Sequence, residues 1–281
     1  MSVVLPMPVA YQEEVGDSER LMSLEEFIGY DQYNLEQVQS LLVHFGELMP
    51  RCFALYEGSK GALPVVKDET ALAFARTFLL CQKSFLSAAA NIGRRHPDDA
   101  AAITRRAIEA ACLALAVKHD TSNLVRWKAQ ELRAQRWSDR GQGRKPQRLS
   151  PDIKYPADHR GLEELRRYAG VVSDTFVHFT PEYLKGHGWK IETEADQHSM
   201  ALPFHEPDQR RIEREFVVLA AIHVRILDLL DECFDRAFSK NQNWIEKRAE
   251  IMRIGGRLND LFVNPPAYAE GEEDSTVQES R

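Results

Sequence analysis

Long apolar runs are missing from this 281-residue chain. No segment approaches the roughly 18 uninterrupted apolar residues that a membrane-spanning helix needs, so no membrane is expected among its partners. The opening MSVVLPMPVAYQEE has no basic lead and no long apolar stretch, which speaks against a secretory signal. Cysteine is scarce. Cys52, Cys81, Cys112 and Cys233 stand far apart among apolar neighbours, and no C-x-x-C pair occurs. That spacing excludes zinc-knuckle and thioredoxin-type motifs and reads as small buried thiols in a reducing cytoplasm. Positive charge is not in excess either: the net charge of −7 argues against a general nucleic-acid coat. The motifs G-x-x-x-x-G-K-[ST], G-x-G-x-x-G and G-x-S-x-G are absent, which removes the usual nucleotide and hydrolase signatures. No cofactor is expected.

What the chain does have is apolar residues at helical spacing. They make up 43% of the sequence against 28% charged residues, enough to build a core. The pattern predicts an all-α, multi-helix bundle over residues 23–263, with an N-terminal arm over 1–22 and a disordered acidic tail over 264–281. The first helical segment places Leu35, Val38, Leu41, Leu42 and Phe45 on one stripe, and Pro50 bends or splits it. The second runs through KDETALAFARTFLLCQKSFLSAAANIGRRH, with an acidic start and a basic end that suit the macrodipole. Pro97 opens a third with Asp98 and Asp99 in its first turn. A fourth begins near Thr121 or Ser122 as cap. A fifth runs from about Gly161 to His178, with Leu162, Leu165, Ala169, Val172 and Phe176 as its core stripe. Long helices then run from about Asp208 to Ser239 and from about Asn243 to Phe262. The stretch near 187–205 is the one strand-like piece, a short hairpin or an irregular loop.

Three groups of residues stand out chemically. In the third helix every residue between Ala107 and Val117 except Glu109 is apolar, which predicts a helix enclosed on all sides and a buried carboxylate. Such a carboxylate needs a partner; Arg105, Arg106 one turn back, or Arg76 from the second helix can supply it. The pair is either a structural ion pair or one edge of a polar pocket. His178 ends the fifth helix, where the dipole favours a cation. Ser173 lies five residues away and cannot face it on the same helix, so a local Ser–His nucleophile is not expected. The segment 126–148 gathers Arg126, Lys128, Arg133, Arg136, Arg144 and Lys145 around Trp127 and Trp137. It reads as a solvated face anchored by its tryptophans, as a grip on single-stranded nucleic acid, or as a mate for the acidic tail. A metal site from His187, His198 and His205 with a nearby carboxylate has no H-E-x-x-H or close ligand pair behind it, and no metal is assigned.

With these residues in view, RRAIEAACLALAVKHD followed by LRRYAGVVSDTFVHFTPEYL resembles a bacterial family related to HEPN-type helical bundles. The likeness spans roughly residues 70–184. It implies an Arg-x-x-Glu on one core helix, here Arg106 and Glu109, and a Ser-x-x-x-x-His on another, here Ser173 and His178. HEPN-type bundles include metal-independent ribonucleases whose hallmark sets a His four to six residues after an Arg. Here the nearest spacings, Arg167 to His178 and Arg106 to His119, are longer. The resemblance therefore implies a binding or interaction module in bacterial stress or defence, with RNA or a protein as partner and a homodimer as one form of it. The alternative it implies is an RNase in which His178 acts as acid or base and Arg106 steadies the phosphorane.

Overall fold

A computed structural model of the chain describes residues 24–41, 46, 48–63, 65–128, 153–172, 190–194, 197–201, 205–206 and 208–263. The chain is an all-α helical bundle, with one small hairpin among the described residues. The helices are α1 (Leu24–Leu41), α2 (Leu48–Lys60), α3 (Glu69–Gly93), α4 (Pro97–His119), α5 (Arg160–Val172), α6 (Gln209–Cys233) and α7 (Gln242–Val263). Between α5 and α6, β1 (Lys190–Glu194) pairs antiparallel with β2 (Gln197–Ala201), Lys190 opposite Ala201.

Local chemistry places most boundaries. Pro50 falls in the first turn of α2, where its missing N–H has no intrahelical partner to lose. The Asp68 carboxylate accepts the Ala71 N–H at 2.8 Å and starts α3. Pro97 opens α4 with Asp98 and Asp99 beside it. Beyond α4 a helical stretch covers 122–128; the Asp120 carboxylate, rather than Thr121 or Ser122, takes its first N–H, that of Ser122, at 2.9 Å. Asp208 caps α6 through the Arg210 N–H at 2.9 Å.

Two expectations need correction. The last helix before α7 does not run to Ser239. Asp235 and Arg236 adopt left-handed backbone angles, φ 54 and 61, and the Asp231 carboxylate takes the N–H groups of Phe238 at 2.7 Å and Ser239 at 3.2 Å. A buried acceptor thus rewards leaving the helix at Cys233. The second correction concerns which helix is enclosed. α6 lies at the centre, packed against α2, α3, α4, α5 and α7. Its buried residues, from Ile212 to Cys233, cover most of its circumference and leave one stripe, through Arg214 and Arg225, to solvent. α4, by contrast, keeps Arg106 and Glu109 in solvent, and Arg76 on α3 is exposed as well.

The core runs from Leu48 to Leu258. An aromatic cluster fills the space between α2, α3 and the C-terminal end of α6: Tyr56, Phe78, Phe234 and Phe238 meet ring to ring at 5.5–6.5 Å. Trp244 from α7 joins them and donates its indole N–H to the Ser59 hydroxyl at 2.9 Å. The four cysteines are buried and free, and burial pushes the Cys52, Cys112 and Cys233 thiols up to about 12. On α5, Leu162, Leu165 and Ala169 form the buried stripe expected of them. Among the described residues no helix is long and apolar enough to cross a membrane.

Candidate functional site

Three chain segments meet at one end of the bundle. Phe27, Tyr30 and Asp31 share one face of α1 at the i, i+3, i+4 spacing. α3 ends at Gly93, and Arg95 turns the chain with φ 68, so that His96 stands at the start of α4. The His96 side chain makes no cap hydrogen bond to α4, which leaves it to face α1. His205 lies just ahead of α6. Arg95 locks the last two segments together: its backbone oxygen accepts the Glu206 N–H at 2.9 Å, and its guanidinium donates to the Glu206 carbonyl at 2.8 Å and the Gln209 side chain at 2.7 Å. Arg211 bridges Glu206 and Asp98, tying the starts of α6 and α4.

This framework converges two imidazoles on one carboxylate. His96 Nε2 lies 2.7 Å and His205 Nε2 3.0 Å from the same oxygen, Asp31 Oδ1. The two imidazole centres are 4.8 Å apart, and the Phe27 ring lies 5.7 Å from one and 5.3 Å from the other. Tyr30 adds a ring contact to His205 at 6.0 Å. His205 is buried, and Asp31 and His96 are partly so. Burial opposes ionisation of Asp31, but the hydrogen bonds from His96 and His205 together outweigh it and hold its carboxyl below the usual range. Burial also lowers the His205 pKa against the opposing pull of Asp31. Chemically the cluster can share protons or hold a cation, since its three ligand atoms all lie within 4.8 Å of one another.

A second feature lies along α3. Leu72, Leu79 and Leu86, seven residues apart, point outward at 37, 50 and 48% exposure, with Leu80 beside them at 45%. Arg76 and Lys83 stand between the leucines and are exposed. The opposite ends of α3, α4 and α6 border a cavity of about 390 Å³ lined by Phe74, Val117, Lys118, Phe234 and Asp235 among others. Its charged groups are engaged: Lys118 pairs with Asp235 at 2.5 Å, and Asp68 caps α3.

The residues picked out in the sequence fall elsewhere. Glu109 is not buried: its side chain is 56% exposed and accepts from Arg105 at 2.9 Å, so the expected enclosed carboxylate is a surface i, i+4 pair. Arg106, its partner in the family motif, is also exposed. Ser173 and His178 lie outside the described residues, as do Arg133, Arg136, Arg144 and Lys145. Of the basic segment, Arg126 donates to the Asn123 side chain at 3.2 Å and Lys128 pairs with Glu69. Trp127 packs against the core, as an anchoring tryptophan would. Of the histidines grouped in the sequence, His187 and the His198 side chain lie outside the described residues, while His205 reaches the cluster. Its mates are 109 and 174 residues away in the chain, a separation no local motif can signal.

Set against protein-family models, curated proteins and solved structures, the chain gives no match.

Proposed function

We propose that this chain is a binding module, a helical bundle that takes an amphipathic helix of another protein along the outer face of α3. The observation that carries the reading is the row Leu72, Leu79, Leu86 facing water at heptad spacing. Arg76 and Lys83 within that row favour a partner helix with acidic flanks. Pairing of two copies, antiparallel about Leu79, sets Arg76 of one opposite Gln82 and next to Lys83 of the other, which brings like charges near each other, so a different protein with acidic flanks suits the row better than a second copy. The resemblance to HEPN-type bundles suggests bacterial stress or defence as the setting.

The test is photo-crosslinking in the native cell from position 79, with the still more exposed position 125 as comparison. A discrete protein adduct from 79, lost with Leu72→Glu and Leu86→Glu and not formed from 125, is the expected result. Identical adducts from both positions, or none, defeat the reading. The ribonuclease alternative predicts cleavage of labelled single-stranded RNA in EDTA that vanishes in His178→Ala. The exposed, Arg105-paired Glu109 offers it no enclosed pocket on α4.

A further inference from the structure

We propose that Asp31, His96 and His205 form a binding site for one divalent transition-metal cation, represented by zinc(II), held by two imidazole nitrogens and one carboxylate oxygen. The donor set is the first reason. Two imidazoles and a carboxylate are borderline ligands that suit zinc, cobalt, nickel or iron(II), and disfavour calcium and magnesium, which ask for oxygen donors throughout.

The spacing is the second. Ligand atoms around a tetrahedral zinc stand roughly 3.3 Å apart. The two nitrogens here are 2.7 and 3.0 Å from Asp31 Oδ1, so each nitrogen–oxygen pair needs to open by only a few tenths of an ångström, and all three ligand atoms already lie within 4.8 Å of one another. Both nitrogens are Nε2, and each imidazole can move its proton to Nδ1 and offer Nε2 as a lone pair.

Preorganisation is the third. The ligands come from α1, the α3–α4 turn and the approach to α6, and Arg95 fixes the last two against each other through three hydrogen bonds. Phe27 lies against both imidazoles and limits their rotation. Three protein ligands leave at least one further position for water or for a donor from a partner.

The experiment uses the full chain stripped with EDTA and dialysed. Zinc(II) is titrated by calorimetry, and cobalt(II) is titrated in parallel by visible absorption, which reports nitrogen and oxygen coordination. One equivalent per chain is expected. Binding should weaken at least about tenfold in each of Asp31→Asn, His96→Ala and His205→Ala, and stay unchanged in His159→Ala, which removes a partly buried histidine paired with Glu232 away from the cluster. Far-UV circular dichroism confirms that each variant is folded, and Asp31→Asn keeps the side-chain volume should the alanine variants unfold. No binding by the wild type overturns the proposal. So does binding that persists in folded Asp31→Asn and His205→Ala, because the ion then sits elsewhere.

Discussion

Glu109 and His223 show opposite fates for a polar residue inside an apolar run. Glu109 stands among alanines, of which Ala107 and Ala111 face the core, but it shares the outward stripe of the helix with exposed Arg106 and partly exposed Leu113. The run around Glu109 therefore does not enclose it, and its carboxylate meets Arg105 in water. Glu109→Ala is expected to change stability by less than about 1 kcal/mol in urea unfolding, as for other exposed i, i+4 pairs. His223 sits on α6 among Tyr56 and Phe85, fully buried, with Nδ1 2.8 Å from the Tyr56 hydroxyl and Nε2 without a partner. Burial lowers its pKa to about 3 from 6.5. Between those values the unfolded chain holds a proton that the folded chain refuses. Its contribution to stability is therefore complete above pH 6.5 and lost as pH falls toward 3, by about 1.4 kcal/mol per pH unit. Urea unfolding at pH 7 and pH 5.5 should show this slope, and His223→Gln should flatten it.

At the scale of elements, α1 and α6 mark two extremes. No residue of α1 whose side chain is described is buried, and Leu24, Ile28 and Leu35 are exposed. Leu35, the first residue of the predicted stripe, therefore does not face the core, and the side chains of Val38, Leu41, Leu42 and Phe45 lie outside the described residues. What seats α1 is the face of Phe27, Tyr30 and Asp31 against the two histidines. Amide exchange is expected to be faster in α1 than in α6, and Phe27→Ala should speed α1 further while leaving α6 unchanged. An α1 that exchanges as slowly as α6 would show that it is held by more than this contact. The helix-breaking signals at Pro50, Asp68, Pro97 and Asp208 were readable because capping and proline chemistry act within a few residues. The end of α6 was not, because its terminating acceptor, Asp231, acts on backbone seven and eight residues on, through a turn that only the surrounding packing supports.

For the molecule as a whole, stability should be concentrated around α6. Ile226→Ala, at a site with no solvent exposure, is expected to cost about 2–5 kcal/mol, whereas Leu79→Ala on the outer face of α3 should cost well under 1; thermal or urea denaturation separates the two. Periodicity, caps and composition were enough to specify an all-helical chain, the strand-like character near 190–201, the buried free thiols and the core stripe of α5, because each of these depends on neighbours within a turn or two. The choice of α6 as the enclosed helix, the exposure of Glu109 and the meeting of Asp31, His96 and His205 were decided only by tertiary packing. Those facts depend on which helix faces which, and residues 65 and 174 positions apart carry no local trace of their encounter.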